Sequence, residues 1–149
     1  MPLVSILIPV HNSPFFAAAL KSALAQSFRD VEIIVSDDSD NALAEETISA
    51  TTDSRIRYFR NTPKLGFHGN FAACYQLARS KYLKFLNHDD ILRADCVAQM
   101  VDAFEQLGPV VSLVAARRAR IDAQGVTLPD NVQTRPIALR NGSFRGSLL

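Results

Sequence analysis

Runs of apolar residues alternate with amphipathic segments along most of the chain. Leu3 to Val10 and Val31 to Ser36 are almost continuously apolar and β-branched, which is typical of strands buried on both faces of a parallel sheet. Arg55 to Arg60 alternates apolar and basic residues, which predicts an edge strand with one wet face. Tyr82 to Leu86 predicts a fourth strand. Val110 to Arg120 predicts a fifth, which turns at 122–125 into a short pairing segment.

Segments with helical periodicity separate these strands. The first follows a predicted cap and helix-starting proline in His11-Asn12-Ser13-Pro14 and ends near Gln26. The others are predicted at Asn41 to Ala50, Gly69 to Arg79 and Asp95 to Leu107. This alternation predicts an α/β fold with a mostly parallel sheet flanked by helices.

The strand-helix pattern fades near Asp130. We therefore expect one domain over residues 1–130, with 131–149 as a tail or the start of an incomplete further region. We expect this chain to be part of a larger domain.

Composition narrows the function classes. With 149 residues and a formal net charge of +1, the chain offers no electrostatic case for a nucleic-acid partner. No apolar run approaches the roughly 18 residues of a membrane span, and the N-terminus is predicted to be a strand rather than a signal peptide. Cys74 and Cys96 lie in helical patterns and predict reduced thiols of a cytosolic protein.

Two acidic pairs directly follow predicted strands. Asp37-Asp38 comes after the second strand, and Asn87-His88-Asp89-Asp90 comes after the fourth. Open α/β sheets bind ligands at the carboxyl edge of their strands. Adjacent carboxylates repel each other unless a cation or donor network holds them, so these pairs suggest a divalent metal.

The predicted strand ends converge on one crevice suited to a sugar nucleotide. It is lined by Pro9 to Asn12, Asp37 to Ser39, Pro63 to Asn70 and Asn87 to Asp90. The ring of His11 is suited to stacking on a base, and Asp38 to accepting a hydrogen bond from a base or ribose. Lys64 or His68 would meet a phosphate. Asp89 would hold Mg²⁺ or Mn²⁺, which offsets charge on a diphosphate leaving group.

Four segments together resemble a known family. They are residues 4–12 (VSILIPVHN), 22–28 (SALAQSF), 32–39 (EIIVSDDS) and Asn87-His88-Asp89-Asp90 with Asp95 after it. Their order and spacing are similar to family 2 glycosyltransferases over roughly residues 2–105. The resemblance implies a GT-A fold and transfer of a sugar from a nucleotide donor, usually with inversion and a divalent metal.

The resemblance also assigns roles to residues. It implies that His11 stacks on the base, that Asp38 contacts the base and that Asp89 is the metal ligand. Asn87 stands where the family has the first Asp of its motif; its amide still suits a ribose hydroxyl but brings no charge to the metal. The expected nucleotide-binding set is Pro9, His11, Asp38, Lys64, Asn70, Asn87 and Asp90, with Asp89 for the metal.

The family's catalytic base is a carboxylate of the acceptor-binding half, and no residue after Asp130 is assigned to it. We therefore expect a donor-binding half that transfers sugar poorly or not at all. By resemblance, its partners are a nucleotide sugar and a saccharide or lipid-linked acceptor. The expected setting is polysaccharide assembly in the cytoplasm or peripherally at the inner membrane. Apolar surface left exposed by the missing half would favour self-association.

Other interpretations remain open. The segment Asp37 to Asp40 suits the cap of a following helix, and Asp89-Asp90 suits a solvated turn. His11, His68 and His88 invite a zinc site but lack ligand spacing. The basic cluster Arg117, Arg118 and Arg120 suits a wet strand edge. A nucleotidyltransferase would need a glycine-rich loop after the first strand, whereas a non-catalytic nucleotide-binding or assembly module remains the alternative function.

Overall fold

The computed structural model of the protein describes residues 1–116 and 118–129. Strands and helices alternate, and the strands form one sheet in the order β3-β2-β1-β4 with every neighbouring pair parallel. The predicted α/β architecture is thus confirmed. In chain order the elements are β1 (Val4–Val10), α1 (Phe16–Leu24), β2 (Val31–Asp37), α2 (Leu43–Ser49), β3 (Ile56–Arg60), α3 (Gly66–Leu77), β4 (Tyr82–Phe85) and α4 (Cys96–Leu107).

The two central strands are buried along their whole length, as their continuous apolar sequences predict. The larger core cluster joins alternate residues of β1 and β2, such as Ile6 and Ile33, to Phe16 and Leu20 of α1. A smaller cluster contains Leu7, Ile34 and Cys74, together with Phe59, Leu77 and Ala78. Helix α3 contributes to this second cluster. Both faces of the sheet centre are therefore covered.

The predicted fifth strand is wrong. No strand occurs in residues 110–116 or 118–120, and Val110 and Leu113 are 88% and 71% exposed. An apolar run becomes a strand only where its backbone groups find a partner. Strand β4 is instead an edge of the sheet, and its residues alternate between half-buried and exposed rather than being buried throughout. Strand β3 forms the other edge, as predicted.

Helices α2 and α4 begin within two residues of their predicted starts, whereas the starts of α1 and α3 change the position assigned to a residue. Helix α1 starts at Phe16, so Pro14 lies before the helix and not at its first position. Ser13 Oγ instead accepts a hydrogen bond from the backbone N–H of Phe15 at 3.2 Å. Helix α3 starts at Gly66, which places His68 inside the helix rather than in the preceding loop.

The chain divides into two compact units, Met1–Val114 and Ala115–Leu149. In the second unit an antiparallel bridge joins Ile121 to Thr127. A turn closes it, with the backbone N–H of Gly125 donating to the carbonyl of Asp122 at 3.0 Å, which confirms the predicted turn and short pairing segment. The predicted tail 131–149 and Arg117 lie outside the described residues, and the domain boundary at residue 130 stays a prediction.

Helix α3 and strand β4 present exposed apolar side chains. Phe67 and Tyr75 of the helix are 72% and 62% exposed, and Leu83 and Phe85 of β4 are each more than a third exposed. Phe71 contacts Phe67 and stacks on Phe85, with ring centroids 4.8 and 5.3 Å apart, so the rings of Phe67, Phe71 and Phe85 form a continuous aromatic surface. Within the described part of the chain, no helix is both long enough and apolar enough to cross a bilayer.

A buried glutamate, Glu32, connects strands β1, β2 and β3 near their amino ends. Glu32 of β2 accepts hydrogen bonds from Ser5 Oγ at 2.6 Å, Arg57 Nη1 at 2.8 Å and the backbone N–H of Arg79 at 2.9 Å. Burial acts to raise the pKa of the Glu32 carboxyl, but these donors and the Arg57 charge outweigh it and lower the pKa below its ordinary value. The Glu32 carboxyl is therefore ionised in the folded protein at neutral pH.

We expect Glu32→Gln to lower the free energy of unfolding by about 2–3 kcal/mol near pH 7, because Arg57 loses its charged partner. The folded pKa of Glu32 is lowered, so its stabilisation is full above the unfolded pKa of about 4.3 and is lost as pH falls through the lower folded pKa. Urea unfolding at pH 7 and at pH 3 measures this. A difference from wild type that persists undiminished at the lower pH would contradict it; Glu46→Gln, on the exposed surface of α2, is the matched control.

Candidate functional site

The register of the central strand brings the ends of its neighbours to one edge of the sheet. Val10 of β1 pairs with Asp37 of β2, and Leu7 of β1 pairs with Phe85 of β4. His11 and Asp38 therefore follow adjacent strands at the same level, and His11 Nδ1 lies 2.9 Å from the carbonyl oxygen of Asp38. That contact fixes the orientation of an otherwise exposed imidazole ring.

Asp37 is an internal anchor of this edge. Its side chain is fully buried, and its Oδ2 accepts hydrogen bonds from Tyr58 Oη at 2.7 Å and Arg60 Nη1 at 3.0 Å. Its Oδ1 accepts the backbone N–H of Ser39 at 2.9 Å. Burial of Tyr58, followed by its hydrogen bond to Asp37, raises the pKa of the phenol to about 12. Asp37 thus joins β2 to β3 and is inaccessible to a ligand.

Asp38 holds the loop between β3 and α3. Only 4% of the residue is exposed, and its carboxylate accepts hydrogen bonds from Asn61 Nδ2 at 3.2 Å, Leu65 N at 2.8 Å and Gly66 N at 2.9 Å. Burial acts to raise the pKa of this carboxyl, but these donors, with His11 nearby, lower it below its ordinary value. Gly66 has φ of 69°, a backbone conformation that glycine adopts without strain.

Neither buried carboxylate caps the following helix. The residue before α2 is Ala42, with no side-chain cap, whereas Asn41 Oδ1 accepts the backbone N–H of Leu43 at 3.2 Å. The capping interpretation of Asp37 to Asp40 is therefore wrong.

An exposed rim surrounds His11. Asn12, with φ of 48°, donates its backbone N–H to Ser39 Oγ at 2.9 Å and its side-chain Nδ2 to Asp40 Oδ2 at 2.9 Å. Asp40 also forms an ion pair with Lys64. Lys64, a predicted phosphate contact, is thus paired with the Asp40 carboxylate. An incoming phosphate would compete with Asp40 for Lys64.

The segment after β4 forms an exposed turn. The backbone N–H of Asp90 donates to the carbonyl of Asn87 at 3.1 Å, and Asn87 Nδ2 donates to Asp90 Oδ2 at 3.0 Å. Asp89 is exposed beside them. Ser13 Oγ donates to the carbonyl of His88 at 3.3 Å, which ties this turn to the loop after β1. The solvated-turn geometry is present, and it leaves the Asp89 carboxylate accessible to an ion.

Besides Asp38, two more predicted site residues are buried. Pro9 is buried in β1, opposite Ser36. Asn70 is 3% exposed on α3, where its Nδ2 donates to the carbonyl of Val10 at 2.9 Å and its Oδ1 accepts from Asn61 at 3.1 Å. Their predicted nucleotide contacts stay predictions.

Several residues of this edge were not predicted from the sequence. They are joined by side-chain hydrogen bonds between loops, and no residue pattern within a single strand or helix signals such bonds. The missed residues are Asp40, Tyr58, Arg60 and Asn61.

The residues present suit a magnesium or manganese ion only together with a ligand. Among the described residues, no three or more His, Cys, Asp or Glu side chains gather where they would hold a metal. Such ions keep several waters and take one or two carboxylates plus substrate phosphates. Exposed Asp89, with the Asn87–Asp90 pair beside it, fits that kind of partial site.

The sequence matches the family model described as glycosyl transferase family 2 over residues 5–146. The chain belongs to this family. It is 31% identical over 140 residues to an uncharacterized glycosyltransferase of Rickettsia bellii, an alignment covering 89% of this chain and 20% of that protein. It is 35% identical over 91 residues to WfaP of Escherichia coli, named as a UDP-Glc:alpha-D-GlcNAc-diphosphoundecaprenol beta-1,3-glucosyltransferase, covering 60% of this chain and 36% of that protein.

Solved structures share the fold of this family 2 chain. Residues 1–349 of S. aureus TarS in complex with UDP-GlcNAc give a TM-score of 0.64 at 17% identity, covering 70% of this chain and 31% of that one. A mannosyltransferase of Pyrobaculum calidifontis, in complex with GDP-Man and Mn²⁺, gives 0.60 at 18% identity, covering 67% and 31%. The GT-A fold is thereby confirmed. The chain spans about a fifth of the length of the first Rickettsia relative.

Asp37 is buried and paired, whereas Asp89 is exposed. The free energies of unfolding of variants at these two positions test this difference. We expect Asp37→Asn to lower the free energy of unfolding by about 3 kcal/mol, because Arg60 and Tyr58 lose a buried charged partner. Asp89→Asn should change it by less than about 0.5 kcal/mol, as expected for an exposed side chain. Urea unfolding of both variants at pH 7 makes the comparison. Equal losses in the two variants would contradict it.

Proposed function

We propose that this chain is the donor-binding half of a metal-assisted glycosyltransferase. It would bind a nucleoside diphosphate sugar, whose sugar is transferred to a hydroxyl of a saccharide or lipid-linked acceptor with inversion. The observation that carries the proposal is the common edge at which His11 and Asp38 follow β1 and β2 while Asn87 to Asp90 follow β4. Nucleotides in open α/β sheets bind outside the carboxyl ends of such strands.

The nucleoside would lie on the β1–β2 side of this edge. The exposed ring of His11, fixed by the Asp38 carbonyl, offers a flat surface for a base. The Asp38 carboxylate is ionised at neutral pH because its pKa is lowered, so it accepts an N–H of the base and donates nothing. Asn87 is suited to a ribose hydroxyl.

The diphosphate would lie towards the β4 turn. Asp89 is the carboxylate proposed to hold the divalent ion, and Asp90 orients Asn87 beside it. Bound there, the ion supplies charge neutralisation for the nucleoside diphosphate leaving group. Lys64 would exchange its Asp40 partner for a phosphate oxygen. Inverting transfer also needs a base for the acceptor hydroxyl, and we assign none to this chain.

The comparisons support the substrate classes of this proposal. The E. coli relative is named for a UDP-Glc donor and a diphosphoundecaprenol-linked acceptor, and the solved neighbours contain UDP-GlcNAc in one case and GDP-Man with Mn²⁺ in the other. A nucleotide sugar and a lipid-linked acceptor at the inner membrane surface are therefore the substrates and setting that we propose here.

Titration of UDP, GDP and dTDP with and without Mn²⁺ tests the donor site. We expect one of them to bind in a Mn²⁺-dependent manner, and Asp89→Ala to weaken that binding at least about tenfold, a loss of ~1.4 kcal/mol. Isothermal titration calorimetry measures both.

Asp102→Ala, which removes an exposed aspartate of α4, is the matched control and should bind as wild type does. Failure of all three nucleotides to bind would favour a non-catalytic assembly module. Measured sugar transfer by the 149-residue chain alone would overturn its assignment as a donor-binding half.

A further inference from the structure

Asn61, the first residue after β3, stands at the centre of a hydrogen-bond network below the proposed nucleotide site. Its backbone N–H donates to the carbonyl of Asp37 at 2.9 Å. Its side-chain Nδ2 lies 3.2 Å from Ser36 Oγ, 3.2 Å from Asp38 Oδ1 and 3.1 Å from Asn70 Oδ1. An amide nitrogen carries two N–H groups, so three acceptors share two donors.

The second asparagine of the network has a fixed orientation. Asn70 Nδ2 donates to the carbonyl of Val10 at 2.9 Å, which leaves its Oδ1 facing Asn61. Reversing the Asn70 amide would set its oxygen against the Val10 carbonyl and its nitrogen against the Asn61 amide nitrogen. The last residue of β1 is therefore connected through Asn70 and Asn61 to the Asp38 carboxylate.

The two oxygens of Asp38 are used unequally. Oδ1 accepts two donors, Asn61 Nδ2 and Leu65 N, whereas Oδ2 accepts the backbone N–H of Gly66. A carboxylate oxygen accommodates about two hydrogen bonds. Counting donors from residues 1–116 and 118–129, both acceptor positions of Oδ1 are occupied, and one acceptor position of Oδ2 is free.

We propose that Asn61 is a positioning residue of the nucleotide site. Asn61 occupies Oδ1, so the remaining acceptor position of Asp38 lies on Oδ2. A single ring N–H of the bound base would donate to that position. This proposal rests on the proposed function, because it needs a nucleotide at this edge. It predicts selectivity for bases with a ring N–H, as in uracil, thymine and guanine, over cytosine and adenine, whose corresponding ring nitrogens are acceptors.

A purely structural role for Asn61 would lower stability without changing which base is preferred. The discriminating measurement is therefore the ratio of dissociation constants for UDP and CDP, and for GDP and ADP, in the presence of Mn²⁺. We expect the wild type to favour the ring N–H partner of its preferred pair at least tenfold. In Asn61→Ser, whose short side chain does not reach all three acceptors, the ratio should fall towards one.

The variant Asn61→Asp gives a second, pH-dependent test. At pH 8 the new carboxylate would face Asp38 and Asn70 Oδ1 with no donor, so nucleotide affinity should fall at least tenfold below wild type. As the pH falls into the carboxyl range, the coupled pair of carboxylates takes up a proton, and the resulting O–H restores a donor to Asp38. The variant-to-wild-type ratio of dissociation constants should therefore shrink as pH falls.

The same charged groups lie near the network in wild type and variant, so the dissociation constants are compared as a variant-to-wild-type ratio at each pH. The groups concerned are His11, Asp37, Asp40, Arg60 and Lys64. Asn41→Asp is the matched control, because it makes the same change at an exposed position that keeps its acceptor oxygen for Leu43. For Asn41→Asp, the variant-to-wild-type ratio of dissociation constants should not change with pH.

The outcomes separate the two proposals. If no nucleotide binds the wild-type chain, the proposed function fails. If nucleotide binds but without preference for a ring N–H, or if both Asn61 variants keep wild-type affinity and preference, the positioning role of Asn61 is overturned. Circular dichroism establishes that each variant is folded. Where Asn61→Asp does not fold, the base preference of Asn61→Ser alone decides.

Discussion

The parallel pairing of β1 with both β2 and β4 is the constraint on which the rest of this structure depends. Because Val10 lies opposite Asp37 and Leu7 opposite Phe85, three strand ends reach one edge at fixed relative heights. The pairing is held in place by burial of β1 on both faces. A slip of one residue would turn this strand's side chains to the opposite faces and separate His11 from the Asp38 carbonyl, so the core and the candidate site share one register.

Adjacent carboxylates at this edge have opposite physical roles. Asp37 is held by Tyr58, Arg60 and the Ser39 backbone, and removing Arg60 would leave its buried charge without an ion-pair partner. Asp38 is nearly as buried, yet its donors come from one loop and leave an acceptor position on Oδ2. Burial alone therefore does not separate the structural acid Asp37 from Asp38, the acid that we propose binds the base. The charge and origin of the donors distinguish them, because Arg60 is a cationic partner of Asp37 whereas the donors to Asp38 are uncharged.

The sequence predicted the features that follow from periodicity and burial, which are local properties. Four strands, four helices, the edge position of β3 and the acidic ends of β2 and β4 were all predicted from runs of residue types. The fifth strand was wrong because an apolar run such as residues 110–116 says nothing about whether a pairing partner is present. Asn61 was missed for a related reason: its three acceptors belong to β2, the loop after it and α3, and only the fold brings them together.

The two sides of the candidate site differ in how far they are preorganised. On the β1–β2–β3 side, side chains are buried and connected by hydrogen bonds, so the proposed binding of a base there would cost little conformational entropy. On the β4 side, the turn of Asn87 to Asp90 is exposed and lies at a sheet edge, next to the aromatic surface of Phe71 and Phe85. An ion held by Asp89 would there complete its coordination with water and diphosphate oxygens. Under the proposed function, base selectivity would thus be a property of the rigid side, whereas affinity for the diphosphate would depend on an ion bound at the exposed side.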